Sequence, residues 1–330
     1  MTDVMDLYRS KVIMAPMAGV NVASFCHTLM DLGCGCITTG LLTSHGLARG
    51  QKKTMQLLDN MPPSRGDFAL IGQVFGGEPE VMADAAAVLQ ETGMFRAIDI
   101  NMGCPAPKVL KGNGGVALMA HPDRARAVVR AVVNATSLPV TVKMRLGMDD
   151  DSINFLDIAR MAVDNGAAAL CLHPRTRRQR FTGHSDWSQI ALLKETVAVP
   201  VVGSGDIWTP EDARAMIDQT GCDAVMCGRG AQGEPWLIGR ARTLLDTRAA
   251  PPPPTPRQRI LAAVAQLDCH VRHIGPERGV PTMRGFLGRY IKGLPNAADI
   301  RARINRAPTL EDTKEILFNY LSELERSEPV

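Results

Sequence analysis

Pro139-Val140-Thr141-Val142-Lys143-Met144-Arg145-Leu146-Gly147 is an apolar, β-branched run that ends in two cations and a glycine. A run without polar–apolar alternation suits a strand buried on both faces, as in a parallel sheet. Seven further runs share this character: KVIMAPMA from Lys11, CITTG from Cys36, FALIGQVFG from Phe68, AIDINMGCP from Ala97, AALCLHPR from Ala168, PVVGSGDI from Pro200 and AVMCGRGA from Ala224. Helical patterns separate them, as at Pro79–Thr92, Pro122–Thr136, Asn154–Asn165 and Pro210–Gln219. Several begin with proline, which fits a first helical turn. Gly166 and Gly221 are placed to stop two of them. Eight strand–helix units with short connections predict a (β/α)8 TIM barrel, an α/β fold. An open doubly wound sheet would need a Gly-rich fingerprint after the first strand, and Ala15-Pro16-Met17-Ala18-Gly19 is not one.

The chain has 330 residues, room for a barrel of about 250 residues and a small extra domain. We therefore expect a barrel over 1–250 and a helical domain over 251–330, with Pro251–Pro254 as a stiff linker. From Thr255 to about Arg326 no β-rich run occurs, so the second part reads as helices only.

Net charge is +3 and aromatics are only 4% of the chain, so stacking platforms are not expected to dominate any nucleic-acid binding. Six of the eight cysteines sit in or beside apolar runs and read as core residues. Cys34-x-Cys36 has no neighbouring ligand cluster, so no metal site is expected. No apolar run approaches membrane-spanning length and no cleavage-like signal is present, so a reducing, cytoplasmic compartment is expected. No protein partner is evident, and a monomer is the expectation.

Strand C-terminal ends form the active face of such a barrel. In seven of the eight runs that end carries Met17, Gln73, Asn101, Cys104, Lys143, Arg145, His173, Arg175, Asp206 or Arg229. Packing alone does not call for polar residues there. Lys143 needs an anionic partner: either a salt bridge to Asp99 or Asp206, or a ligand on which negative charge develops. Gly203-Ser204-Gly205-Asp206 and Gly228-Arg229-Gly230 end the last two runs, where barrel phosphate sites often lie, and imply a phosphorylated ligand. Cys104 precedes a Gly-rich stretch and is expected on an exposed loop, mostly as a thiol that suits a proton donor or a nucleophile. His173 is either a structural histidine or a hydrogen-bond partner of a ligand.

Arg175, Arg177, Arg178 and Arg180 put four arginines into six residues at the same rim, beside Phe181. From Arg257 to Arg306 there are ten Lys/Arg against three Asp/Glu. The segment from Glu311 to Glu328 is acidic and is expected to face away. A basic rim beside a basic helical domain points to a large polyanion.

Ala15-Pro16-Met17, Gln73, Asn101-Met-Gly-Cys104-Pro105, Val142-Lys143-Met-Arg145-Leu-Gly147, His173-Pro-Arg175-Thr, Gly205-Asp206-Ile and Gly228-Arg229-Gly230 together resemble the tRNA-dihydrouridine synthases, in order and spacing. Ala231-Gln232-Gly233-Glu234-Pro235-Trp236 is most similar to the bacterial B-type subgroup, and Tyr290-Ile-Lys-Gly-Leu-Pro295 is also similar. The resemblance implies FMN as cofactor, NADPH (or NADH) as reductant and tRNA as substrate, with the helical domain binding tRNA. It implies that Pro16, Met17 and Ala18 line the flavin, that Gln73 and Lys143 contact its rings, and that His173, Ser204, Gly205, Asp206, Gly228 and Arg229 hold its ribityl phosphate portion. Asn101, Arg145, Arg175 and Phe181 would position a flipped uridine and its backbone; Arg177 and Arg178, by the arginine cluster itself, are expected to bind RNA phosphates. Hydride would pass from flavin N5 to uracil C6, and Cys104 would protonate C5 from the other face. Gly40, Ser204, Gly285 and Phe286 depart from the family's common residues, which are Glu, Asn, Lys and His. Two other readings stay open on the residues alone: an FMN barrel oxidoreductase acting on a free small molecule, and a non-enzymatic RNA-binding protein.

Overall fold

The computed structural model describes residues 4–327; residues 1–3 and 328–330, the outer ends of the two expected domains, lie outside the described residues, as does Glu328 of the acidic segment. Nine parallel strands form one sheet: β1 (Val12–Met14), β2 (Cys36–Thr38), β3 (Leu42–Thr43), β4 (Ala69–Phe75), β5 (Ala97–Met102), β6 (Val140–Met144), β7 (Ala169–Leu172), β8 (Val201–Ser204) and β9 (Ala224–Cys227). β1 pairs with both β2 and β9, and β2 pairs with β4, so the sheet closes on itself. The nine strands make eight staves. β2 and β3 both run beside β4, at Cys36↔Ala69 and at Leu42↔Val74, and are one stave broken at 39–41. At the break Thr39 still donates its N–H to Ile71, and its hydroxyl accepts the Gln73 N–H at 3.0 Å. The run from Cys36 therefore continues past its expected end, after a kink that turns Leu41 toward the barrel mouth.

Two apolar layers explain why the runs lack alternation. Val12, Met14, Ile37, Leu70 and Ile98 face outward and pack beneath the helices. Ile13, Cys36, Ala69, Ala97, Ala169 and Ala224 face inward and are mostly small, as a closed barrel interior requires. Leu7 and Tyr8 belong to this inner cluster and plug it from the N-terminal side. The six cysteines read as core residues are buried, while Cys104 and Cys269 are half-buried.

The expected helices form at Pro79–Glu91, Pro122–Ala135, Phe155–Asp164 and Pro210–Thr220. The last is fixed at both ends, by a Thr209/Asp212 capping box and by Gly221 in the left-handed region. After the segment 251–255, four helices follow: Pro256–Ile274, Pro276–Tyr290, Ala297–Arg306 and Leu310–Ser327. They share one apolar core with the barrel's outer layer. Phe25 meets Phe286 with ring centroids 5.7 Å apart, Trp236 meets Tyr290 edge-on at 6.1 Å, and Ser24 hydrogen-bonds His270 at 3.0 Å. This explains one departure from the family's common residues: Phe286 is buried in that seam, so its position is a packing site, whereas Gly285 is exposed.

Because the seam is continuous, Phe286→Ala should destabilise the whole molecule by about 3 kcal/mol. Scanning calorimetry should show one transition moved down by several degrees; two separate transitions would contradict a shared core.

Candidate active site

The strand ends open into a cavity of about 510 Å³, within the range of small-ligand and cofactor sites. Pro16, Met17, Ala18, Asn101, Cys104 and Lys143 line it. So do Arg145, His173, Phe181, Ser204, Gly205, Asp206, Gly228 and Arg229. The first loop is tied down by Asn21, whose Nδ2 donates to the carbonyls of Ala15 at 2.8 Å and Thr38 at 2.7 Å. Glycine is required at two points of the phosphate-type loops. Gly205 has φ +120°, and a Cβ there would lie 2.2 Å from Ser185 Oγ; a Cβ on Gly230 would lie 2.4 Å from the Ile207 carbonyl oxygen.

Lys143 points into the cavity, and among the described residues it forms no hydrogen bond and no salt bridge. Its two candidate partners are otherwise engaged. Asp99 accepts from Thr141 and Gln73, and Asp206 accepts from Arg175. Arg145, Arg175 and Arg229 gather around the same space, so the mouth is a cationic basin. His173 feels all four cations: burial first, then Lys143 and the arginines, push its pKa well below the usual histidine range. It is therefore a neutral imidazole. Arg145 is nearly buried, and its guanidinium donates to the Gly103, Thr176 and Arg180 carbonyls at 3.0–3.1 Å. It thereby joins the Cys104 loop to the arginine-rich loop. Burial, then the neighbouring Arg175, pulls the Arg145 pKa down to about 10.

Four of the expected site residues do not line the cavity. Arg175, expected on the substrate, is 1% exposed and turned inward. It makes a bidentate bond to Asp206 at 2.9 and 2.7 Å and donates to the Thr182 and Gly183 carbonyls. A guanidinium engaged in this way has no reach left for RNA. Asp206 in turn accepts the Ser185 N–H at 2.7 Å and faces Arg229 at 3.3 Å. Burial alone would raise its pKa, but the Arg175 hydrogen bonds hold it below the usual carboxylate range. Gln73 is fully buried below the cavity and does not line it. Arg177 and Arg178 are exposed outside the cavity, Arg178 facing Asp149 at 3.5 Å.

Phe181 is half-exposed, with the Arg229 guanidinium 4.3 Å from its centroid and the Arg145 guanidinium at 5.5 Å. Trp208 also lines the cavity, 5.0 Å from Arg229, and sequence reasoning passed over it. It is one of only three tryptophans and follows the phosphate-type loop directly, which was the available signal. Leu41 carried no signal, because its place depends on the broken stave. Cys104 is half-buried where an exposed loop was expected. Burial raises its thiol pKa, against smaller opposing effects of the Ala106 N–H and Arg145.

Residues 13–325 match the family model described as dihydrouridine synthase (Dus). The chain belongs to the dihydrouridine synthase family. That family consists of flavin-dependent oxidoreductases. A tRNA-dihydrouridine synthase B of Xanthomonas campestris pv. campestris is 39% identical over 315 residues, covering 95% of this chain and 93% of its own. A protein of the same name from Pseudomonas aeruginosa is 37% identical over 306 residues, covering 92% and 90%. Among solved structures, a histamine dehydrogenase from Rhizobium sp. 4-9 superposes with a TM-score of 0.54 at 13% identity, over 78% of this chain and 48% of that one, a likeness of fold alone. No helix among the described residues is long and apolar enough to cross a membrane, and no cluster of three or more His, Cys, Asp or Glu among them could hold a metal ion.

The raised thiol pKa sets a pH dependence. Alkylation of Cys104 by iodoacetamide, followed by peptide mass spectrometry, should rise with a midpoint above the ~8.5 of free cysteine. A midpoint below that value would mean an activated thiolate and contradict the burial argument.

Proposed function

We propose that the protein reduces uridine to 5,6-dihydrouridine in tRNA, with FMN as its resident cofactor and NADPH (or NADH) as reductant. The observation that carries this reading is Lys143: an ammonium with no hydrogen bond or salt bridge among the described residues, in a cavity it shares with a half-buried thiol. An ammonium in such a place calls for an anionic ligand, and a reduced flavin ring system is one. The rest of the cavity fits FMN. Ser204, Gly205 and Gly228 offer a close backbone approach, Arg229 offers charge, and neutral His173 offers a hydrogen bond to the ribityl phosphate portion. Pro16, Met17 and Ala18 give the rings an apolar wall. Asp206 and Arg175 act from behind: the ion pair neutralises the carboxylate and holds the Ser185 segment, and Arg229 can turn from Asp206 to a phosphate. Gln73 serves as the floor beneath Asn101.

Bound flavin supplies the hydride that reduces uracil at C6. The chain supplies the rest. A stacked base cannot enter a recessed cavity, so the target uridine must leave its stack. Phe181, flanked by Arg145 and Arg229, offers it an aromatic face, and Asn101 and Arg145 lie where its polar edge would pass. Cys104 holds the proton that C5 receives, and its raised pKa keeps that proton on Sγ at neutral pH. Arg177, Arg178 and the basic helices between 256 and 306 would meet the RNA backbone, a contact that weakens with added salt.

Two variants separate the two halves of this reading. Cys104→Ala should keep flavin bound and reducible by NADPH, but lower RNA turnover by about 10²-fold or more. Lys143→Ala should raise the flavin dissociation constant by about tenfold or more, the value of a lost charge-assisted contact. Normal turnover in the first variant, or unaltered flavin affinity and reactivity in the second, would remove that residue from its role.

A further inference from the structure

Asp99 sits mid-strand in β5, 3% exposed inside the barrel, and no step above uses it. Its Oδ1 accepts from the Thr141 hydroxyl at 2.5 Å, and its Oδ2 accepts from Gln73 Nε2 at 2.7 Å. Gln73 Oε1 accepts from Asn101 Nδ2 at 2.8 Å. Asn101 Oδ1 accepts the backbone N–H groups of Cys104 at 2.9 Å and Gly103 at 3.2 Å. The register builds this line. Gln73 and Thr141 lie directly beside Asp99 on the neighbouring strands, and Asn101, two residues on, shares its face.

The direction of every link follows from one charge. A carboxylate only accepts, so Gln73 must turn its amide nitrogen toward Asp99 and its oxygen toward Asn101. Asn101 must then present its nitrogen to Gln73 and its oxygen to the loop. The two ends of an amide have nearly the same shape, so packing alone would admit either orientation. With both amides reversed, the Asn101 nitrogen would face two N–H donors, and the Cys104 backbone would lose its acceptor.

We propose that Asp99 is a positioning residue which, through Gln73 and Asn101, fixes the backbone of Cys104 and so the place of its thiol in the cavity. The proposal rests on the reading of Cys104 as the proton donor. It also carries a pH dependence. Burial pushes the Asp99 carboxyl up to about 6, against the opposing hydrogen bonds of Thr141 and Gln73 and the charge of Lys143. Tyr8 and Cys171 also face it from inside the barrel, and both are kept neutral, burial raising their pKa values. Above about 6 the carboxylate is ionised and dictates the line. As pH falls through that value the protonated carboxyl can donate, the direction is no longer dictated, and turnover should fall.

The test uses the full-length protein and two variants, Asp99→Asn and Thr141→Val. The first readout needs neither flavin nor RNA: peptide-resolved alkylation of Cys104 by iodoacetamide, with half-buried Cys269 as internal reference. The second is the pH profile of kcat for tRNA reduction with saturating FMN and NADPH. Asp99→Asn should speed Cys104 alkylation about threefold or more as the loop loosens, with Cys269 unchanged. It should also lower kcat by about tenfold through misplacement of the thiol and abolish the acid limb. Thr141→Val removes one hydrogen bond to the charged carboxylate and leaves Asp99 in place, so the acid limb should move up by about one pH unit. An unchanged Cys104 rate in Asp99→Asn, or equal acceleration of Cys104 and Cys269, would overturn the proposal. So would an unmoved limb in Thr141→Val, which decides the matter even if Asp99→Asn does not fold. If the unaltered protein makes no dihydrouridine, the functional reading fails, while the alkylation readout still decides whether Asp99 holds the thiol in place.

Discussion

The Arg175–Asp206 ion pair is the knot on which the active face depends. Asp206 stands just past β8 in the left-handed region at φ 53°, and Arg175 just past β7 at 1% exposure. Removing two such charges from water is expensive unless their remaining donors and acceptors are met. Here they largely are, by the Thr182 and Gly183 carbonyls and the Ser185 N–H. The pair thus draws the chain from 182 to 185 back over the phosphate-type loop. Phe181, the residue before that anchored stretch, is held at the rim between two guanidinium groups. Loss of Arg175 would leave the Asp206 carboxylate at the cavity wall with Arg229 as its remaining cationic partner among the described residues.

A second constraint is the sign of the charge. Lys143, Arg145, Arg175 and Arg229 surround a neutral histidine; of the two carboxylates nearby, Asp206 is paired with Arg175 and Arg229, and Asp99 accepts from Gln73 and Thr141. A basin of this kind raises the local concentration of anions before any specific contact forms. It also explains why a net charge of only +3 is no obstacle to a polyanionic substrate: positive charge is concentrated at the rim and in the helices between 256 and 306.

The barrel was legible in the sequence because parallel strands buried on both faces read as unbroken apolar runs, and because polar residues at their C-terminal ends break that pattern conspicuously. Lys143, Cys104, His173 and the glycine loops stand out in this way, and they line the cavity. What the pattern cannot show is how a polar side chain at the rim is spent. Arg175 and Gln73 belong to the right strand ends, yet one turns inward to hold Asp206 and the other lies under Asn101. Both outcomes depend on partners distant in sequence. The broken second stave hid Leu41 and β3 for the same reason, since the kink at Thr39 is held by strand β4. Phe286 could not be recognised as a core residue without Phe25 opposite it.

The central claim is that this face reduces a uridine within RNA. Nucleoside mass spectrometry tests it most directly, on unmodified tRNA and on free uridine, each incubated with the purified protein, FMN and NADPH. The account predicts dihydrouridine in the tRNA digest and little or none from free uridine. Dihydrouridine formed equally well from the free nucleoside, or none in tRNA from a protein that carries reducible flavin, would contradict it.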